Sequence, residues 1–559
     1  MRIPTDETKR LDLYREVREA CLASRDDRLT RYAQNRRWYF HGVNEGDSPS
    51  RSNKIYSHLD TVASFLFASD TTRFNVKLTT LADKTDYERK EVFAERVNEK
   101  WNDSNADIVW SQGVLWSLVY DSTIIKHIRR CGTLHPFVVD PACFGVYRDD
   151  VMMLDRQEAF IHVYYMTQSD LERQLALHPR RAAILQEVTA AYAKKDTSEE
   201  MPALNRLIDM VQTETNLIGE VNIATDILPE YRAEISVPLI EMGELWIWND
   251  DEDDYQVVTM ASEVTVVYDR RNIFMPRSPL LRAWEAEHPF VQCCPNPLFD
   301  YFWGASELER LVTLQAERNE IKAHLAKLQR KQVDPPSAWS GMGIIEEKLA
   351  AFNDPGAQIS VGGDGMAKRE TYIPVIPADV YTSLHENAAE FDETSGLTNV
   401  LAGRGEAGVR SSGHANKLAT LGSARPKKRA LTIEDSLEKS ATLYGKALYM
   451  DDTDELLDER GHPFILAQMS PHFTVEVDGH SNSPVFMENQ RENAVLLLKA
   501  RAINRKRFIQ MIAPPMQRDL IRDLEGKIIP QEQAAAQAQQ EAIARGEAAK
   551  GGGKLQSVK

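Results

Sequence analysis

The stretch Tyr301-Phe-Trp-Gly-Ala-Ser-Glu-Leu-Glu-Arg-Leu-Val-Thr-Leu-Gln-Ala-Glu-Arg-Asn319 follows a β-rich segment ending in His288-Pro-Phe290 and reads as a helix opened by Gly304. From Leu311 its apolar residues step through Leu314, Ile321, Leu325 and Leu328 in a three-four rhythm, with Arg318 at the one polar seam position. Arg310, Lys322, Lys327, Arg330 and Lys331 occupy the rest of the surface. One narrow face packs. The remainder is too polar for a core helix and must meet solvent, a neighbouring subunit or a polyanion. The segment reads as a strut lining something.

The surrounding chain is large enough for several cores: 559 residues, 42% hydrophobic and 27% charged, which predicts a soluble multidomain protein. Its formal net charge of -17 argues against an outer surface that wraps DNA, because such binding relies on Lys and Arg displacing phosphate counterions. The five cysteines, Cys21, Cys131, Cys143, Cys293 and Cys294, show no CxxC spacing and predict reduced thiols and cytosolic folding. Met1-Arg2-Ile3 runs straight into charged helix-forming sequence without a signal peptide, and no segment approaches a membrane-spanning apolar run.

Working outward, residues 6 to 40 predict a charged helix, and Leu59, Val62, Phe65, Leu66 and Phe67 give a second helix near Ser57 its apolar face. Val109 to Val119 repeats that pattern. Thr123 to Ile128, Pro136 to Pro141 and Ala159 to Tyr165 read as strands, making the N-terminal body α+β. Thr167 with Asp170 three positions on forms a capping box that opens a charged helical region to about residue 213. Val221 to Ile227, Leu239 to Trp248, Tyr255 to Met260 and Val264 to Tyr268 then predict a compact β module between helices. Its tip, Asn249-Asp-Asp-Glu-Asp-Asp254, lacks the spacing and central Gly of a calcium loop and reads as a solvated acidic turn.

Val333-Asp-Pro-Pro336 ends the strut because Pro cannot continue a helix. Short strands are expected around Ile359 to Val361 and Tyr372 to Ile376. A helical region from Ala378 breaks at Ser395-Gly396, passes a loop carrying Gly396, Gly403, Gly405 and Gly408, and resumes after Gly413 to about Met450. Phe473 to Val477 and helices from Val485 precede an Ala-, Gln- and Glu-rich tail.

No catalytic pattern emerges, so no catalytic, cofactor or metal residue is assigned. Gly403-Arg-Gly-Glu-Ala-Gly408 matches GxGxxG but follows a helix rather than a strand. Val361-Gly-Gly-Asp-Gly365 lacks the Lys-Ser/Thr of a phosphate loop. The histidines include no HExxH and no zinc spacing, and there is no GxSxG elbow. Two basic clusters remain. One is the strut; the other is Arg404, Arg410, Lys417, Arg425, Lys427, Lys428 and Arg429 around the glycine loop. Each residue taken singly suits a solvated face or a subunit contact. As a set in an acidic chain, they suit transient phosphate contact that steers DNA without gripping it.

Several further pieces join these: Asn53-Lys-Ile55 with Asp60, Phe137-Val-Val-Asp-Pro141 with Phe144, Met166-Thr-Gln-Ser-Asp-Leu171, Tyr301 to Ser306 with Gln315 and Asn319, Thr394-Ser-Gly396, and Arg410-Ser-Ser-Gly413. In this order the chain resembles the portal proteins of tailed bacteriophages, of the podovirus type, over nearly its whole length. The resemblance implies an α+β portal fold with a mixed wing, helical stem, small β-rich clip and helical crown, assembled as a ring, typically of twelve subunits in that family. By that resemblance 1–165 and 333–470 are the wing, 166–217 and 301–332 the stem, and 218–290 the clip. Residues 396–413 are the tunnel loop, 413–450 a long helix, 471–530 the crown, and 531–559 a flexible or helical tail.

The implied function is structural and non-enzymatic: a ring at one capsid vertex, assembled in the host cytoplasm, through which double-stranded DNA is packaged and ejected. The implied partners are the terminase large subunit, which supplies the ATP chemistry, the major capsid and scaffold proteins, and the head-tail adaptor or tail proteins. No membrane and no cofactor are implied. Arg318, Lys322, Lys327, Arg330, Lys331, Arg404, Arg410 and Lys417 are the candidate channel and DNA-contacting residues. Two rival readings are a capsid scaffold or head-tail adaptor without a channel, and a nucleotide-binding enzyme using the glycine loops.

Overall fold

The computed structural model describes residues 1–43, 52–67, 72–78, 83–130, 133–195, 239–261, 265–277, 284–335, 337–340, 358–361, 368–371, 373–395, 424–458, 462–477, 494–512, 520 and 524. Among these residues the chain is α+β, 54% helical and 22% strand.

The first helix, α1 (Glu7–His41), begins at Asp6, whose carboxylate accepts from the Thr8 and Lys9 amides and satisfies two otherwise orphaned donors. It ends at Gly42, where φ is +65° and the amide closes on the Trp38 carbonyl. Asn53 caps α2 (Lys54–Leu66), and β1 (Phe74–Leu78), α3 (Lys84–Asp103) and α4 (Ala106–Val119) follow. β2 (Thr123–Arg130) and β3 (Thr133–Val139) form a hairpin, then come β4 (Phe144–Val146) and β5 (Ala159–Thr167). Thr167 caps α5 (Gln168–Gln174) by accepting from the Asp170 amide, and α6 (Arg181–Lys195) follows.

The strands β6 (Leu239–Asn249), β7 (Asp254–Ala261) and β8 (Thr265–Arg271) extend β4 and β5 into one antiparallel sheet of order β4-β5-β6-β7-β8. This corrects the expectation of a separate β module over 218–290. β6 pairs β5 along its whole length, from Ala159↔Ile247 to Thr167↔Leu239, so the two sides of the proposed 165/218 boundary share one sheet. The cause lies in β5, which alternates between two cores: Ala159, Ile161 and Val163 pack with Tyr14, Val17 and Cys21 of α1, while Phe160 joins the main core. Both faces are covered, so β5 must be internal and needs neighbours on each edge. The helices α5 and α6, expected as a first stem region over 166–217, pack on the β8 end of this sheet through Leu171, Leu175, Ile184 and Val188. Val221 to Ile227 lies outside the described residues.

The acidic tip between β6 and β7 is exposed at residues 250–253, as read from the sequence, and carries surface ion pairs. Asp250 meets the Met1 amino group at 3.2 Å, Glu252 pairs with Arg271, and Asp253 with Arg277.

Downstream, β9 (Phe290–Cys293) pairs β2, giving the order β3-β2-β9. α7 (Glu309–Val333) is the strut. It starts five residues after the Gly304 opening read from the sequence, because Gly304 has φ +45° and turns the chain instead of capping it. A Cβ at Gly304 would lie 2.4 Å from Cys294 Sγ, so the turn is wedged into the body. Beyond α7, β10 (Ser337–Ser340), β11 (Gln358–Val361) and β12 (Lys368–Thr371) form a small sheet of order β11-β10-β12. The strand expected at Tyr372 to Ile376 thus sits earlier in the chain, and residues 373–377 are neither helix nor strand.

The helix α8 (Ala378–Ser395) runs back along the strut, and α9 (Ala424–Asp451) threads the main core. A short hairpin of β13 (Leu456–Leu457) and β14 (Pro463–Phe464) precedes β15 (Phe473–Val477), which pairs β1 from Phe74↔Val477 to Leu78↔Phe473. β15 therefore belongs to the body, not to a crown starting at 471. Its burial alternates, with Phe473, Val475 and Val477 inward, so it needs a sheet partner and a helix beneath it, which α9 supplies. One continuous core joins residues from α1, α2, α3, α4, α9 and β15. Cys21, Cys143, Cys293 and Cys294 are free thiols. The 531–559 tail lies outside the described residues.

Candidate functional site

The strut is held at its base by a plug of sequence that is not helical. Phe302 and Trp303 are buried, the Trp303 indole Nε1 donates to Asp149 at 2.9 Å, and the Arg28 guanidinium sits 3.3 Å above the Trp303 ring. Ser306 Oγ donates to the Val119 carbonyl at 2.7 Å, and the Glu307 amide donates to the Leu118 carbonyl at 3.0 Å. These bonds fix the end of α4 to the start of α7. The fully buried Glu307 carboxylate takes Arg429 Nη2 from α9 at 2.7 Å, with Arg310 at 3.6 Å.

The first three turns of α7 are then clamped by amide side chains. Gln315 Oε1 accepts from the Lys54 amide at 3.0 Å, and its Nε2 donates to the Ser52 carbonyl and to Asn319 Oδ1. Asn319 Nδ2 donates to the Gly42 carbonyl at 2.6 Å, tying the strut to the α1–α2 junction. From the other side, Asn387 Nδ2 of α8 donates to the Leu314 carbonyl at 3.0 Å. At the far end Gln332 Nε2 donates to the Pro374 carbonyl at 2.9 Å. The pairings 314 with 387 and 332 with 374 make α7 and the 373–395 segment an antiparallel hairpin.

Burial follows the seam read from the sequence. Leu311, Gln315, Arg318 and Leu325 are buried, Leu314, Ile321 and Leu328 half-buried, and no residue of α7 beyond Leu325 is buried. At 1.5 Å per residue the helix is about 37 Å long, and its last two turns hold no buried residue. The far end is apolar: Val333 is 88% exposed and Val375 83%, with Ile373 and Tyr381 also open.

The candidate cations fall into two groups. Arg318 and Lys322 lie in or beside the seam, and burial lowers the pKa of both, Arg318 adding repulsion at Lys322. Among the described residues Arg318 Nε and Nη1 have no hydrogen-bond partner. Lys327 and Arg330 are exposed and Lys331 half-exposed on the outer side, where they also complement the negative end of the helix dipole. Of the second cluster, Arg404, Arg410 and Lys417 lie outside the described residues, while Arg429 is a buried partner of Glu307 and faces no channel. His324 is exposed beside Glu320 at 3.6 Å, and His414 lies outside the described residues. The anchoring roles of Asn387 and Asn35 carry no signal in sequence, because each depends on a backbone or carboxylate brought from far along the chain.

A cavity of about 460 Å³ opens along α9, floored by Leu154, Phe290, Phe302 and Val475 and bordered by Asp435 and Glu438. His288 Nε2 stands 3.3 Å from Asp155 Oδ1, and Lys439 Nζ donates to Asp155 Oδ2 at 3.1 Å. Desolvation raises Asp155, but the His288 ring and the Lys439 ammonium outweigh it and hold the carboxylate well below its ordinary range. Ser436, one of several hydroxyls in the wall with Thr432, Thr442 and Thr474, donates to the Thr432 carbonyl one turn back along α9. Among the described residues no group of His, Cys, Asp and Glu is placed to hold a metal ion.

Comparison of the chain with protein-family models and with curated proteins finds no match.

Proposed function

We propose that this chain is one subunit of a portal-type ring, closed around a channel through which double-stranded DNA passes into and out of a capsid. The ring would sit at one capsid vertex, engage the terminase large subunit during packaging, and later take the head-tail adaptor or tail proteins. In this reading the major capsid and scaffold proteins guide its assembly in the host cytoplasm.

The observation that carries the reading is the strut hairpin. A helix clamped to the core at one end, and at the other bonded through Gln332 to the 373–395 segment with Val333 and Val375 exposed, suits repetition around an axis. The outer face bearing Lys327, Arg330 and Lys331 then has a role as a few rings of positive charge in an otherwise acidic wall. Such a wall gives a polyanion little net attraction, which suits a cargo that must slide, while a few basic rings centre it. No described helix is long and apolar enough to cross a membrane.

The reading is tested by packaging. Reversing the loop charges with Arg404→Glu and Arg410→Glu should leave the ring intact and reduce the length or retention of packaged DNA. Normal DNA length and retention in that variant would count against DNA contact at the loop.

A further inference from the structure

The cavity of about 460 Å³ along α9 has the size of a small-ligand site, for which about 300 to 1,000 Å³ is usual, and the ring reading gives it no occupant. Its floor, Leu154, Phe290, Phe302 and Val475, is apolar, and Met152 and Met153 extend the apolar lining to exposed side chains. Five carboxylates share the rest of the lining. Three of them are matched: Asp155 by Lys439 and His288, Glu287 by Lys446, and Glu476 by Lys77. Asp435 and Glu438 are not, since among the described residues no ion pair involves either. They stand three positions apart on α9 and so share one face of it. Glu438 is also held in place, its Oε1 accepting from the Val477 amide of β15 at 3.0 Å. Burial raises its pKa, that amide opposes the rise, and Glu434, Glu476 and Asp435 add repulsion. The wall of the cavity therefore carries uncompensated negative charge beside an apolar floor.

We propose that this cavity binds an organic cation of the alkylammonium class, its charged head at Asp435 and Glu438 and its aliphatic stem over the apolar floor. Each half of the lining excludes a simpler guest. A neutral apolar molecule would cover the floor and leave the two carboxylates uncompensated. A metal ion would leave the floor in water, and among the described residues no group of His, Cys, Asp and Glu is placed to hold one. An anion would meet repulsion from both carboxylates. An ammonium on a stem satisfies both halves, because its apolar part packs while its head stays on the acidic rim. The same chemistry comes from a free amine or from a lysine side chain of another protein. The inference concerns a single chain and stands apart from the ring reading.

The test is titration of the full chain with butylammonium chloride at constant ionic strength, followed through the ¹³C-labelled methyl groups of Met152 and Met153. The expected result is a saturable shift of both methyls. Ethylammonium, two methylenes shorter, should bind about tenfold more weakly, each buried methylene being worth about fourfold. Butanol, which has the stem without the charge, should also bind about tenfold more weakly. Asp435→Asn and Glu438→Gln should each weaken butylammonium several-fold. The Gln variant keeps an oxygen for the Val477 amide, and if it misfolds, Asp435→Asn on an exposed residue decides alone. A second arm compares 1,4-diaminobutane with Nα-acetyl-lysine methylamide. Tighter binding of the diamine supports the site with a free amine as its source, and tighter binding of the lysine derivative supports it with a protein side chain as its source.

The absence of a saturable shift with butylammonium overturns the inference. Butanol binding as tightly as butylammonium overturns it too, because the carboxylates then read no charge. Equal shifts from ethylammonium and butylammonium reduce the effect to counterions at an acidic surface, with the same consequence. Butylammonium bound with wild-type affinity by both Asp435→Asn and Glu438→Gln places the head elsewhere and removes the assignment. None of these results bears on whether the chain forms rings.

Discussion

Arg429 Nη2 donates to Glu307 Oε2 at 2.7 Å, and both side chains are buried, so the long core helix α9 and the base of the strut are joined by an ion pair in the interior. Breaking such a pair from one side leaves the other charge stranded in a poorly polarisable site. Arg429→Met should therefore destabilise the chain by about 3 to 5 kcal/mol, read as a lower urea midpoint. Removing both charges with Glu307→Gln and Arg429→Met should recover part of that loss. A single variant as stable as wild type would mean that water reaches Glu307.

Gly145 of β4 passes close beneath α1, and a Cβ there would lie 2.2 Å from the Cys21 carbonyl oxygen. Because the obstacle is backbone, Gly145→Ala must push the helix from the sheet and should cost about 3 kcal/mol. Gly113 of α4 is the control: its Cβ would be tight only against a side-chain end, Ile125 Cδ1 at 3.1 Å, with Thr123 Cγ2 at 3.9 Å. There the helix preference for Ala, worth about 1 kcal/mol, offsets the crowding, and Gly113→Ala should be near neutral in the same urea series.

The clamp on the strut is tested at Gln315. Gln315→Leu removes the bonds to the Lys54 amide and the Ser52 carbonyl at a fully buried position, a loss of about 2 kcal/mol. Hydrogen exchange should quicken in the first turns of α2 and α7 while the five-stranded sheet stays protected. Uniform acceleration would instead mean that the strut base and the sheet unfold as one unit.

Acid should weaken the fold through buried histidines. Burial lowers His127 to about 4, against a weaker upward pull from the Pro289 carbonyl, and burial with Lys126 lowers His162 to about 3. His127 bridges the Pro289 carbonyl and Ser440 as a neutral ring. The unfolded chain binds these protons near pH 6.5 and the folded chain does not, so stability is full above that value and falls as pH drops towards 4. For His127 the loss approaches about 3 kcal/mol. Asp121, pushed up to about 7 by burial, works in the opposite direction over the same range. The check is accordingly a difference: urea midpoints between pH 7 and 4 should fall more steeply in wild type than in His127→Gln. Equal slopes would remove His127 from the account.

Much of the architecture is legible locally. The seam through Leu311, Leu325 and Arg318, the Asn53 and Thr167 caps, and the strands of the main sheet follow from periodicity and capping chemistry that act within a few residues. What escaped the sequence is long-range. The pairing of β1 with β15 spans about four hundred positions, and nothing in Phe74 to Leu78 names its partner. The β5–β6 register absorbed an expected separate module into the body, because alternation shows that a strand has two faces but not which strand lies beside it. At the candidate site, the outward cations Lys327 and Arg330 were readable from spacing. That Arg429 pairs inside while Arg318 meets no carboxylate among the described residues depends on elements meeting in space.

The central claim is that copies of this chain close into a ring around a channel. The most direct measurement is electron microscopy of the purified protein together with its mass by light scattering, taken over a range of concentrations. The account predicts rings with a central opening wide enough for duplex DNA and a mass near twelve chains. A compact monomer or dimer without an opening, persisting at the highest concentration and in the presence of capsid and scaffold proteins, would contradict it.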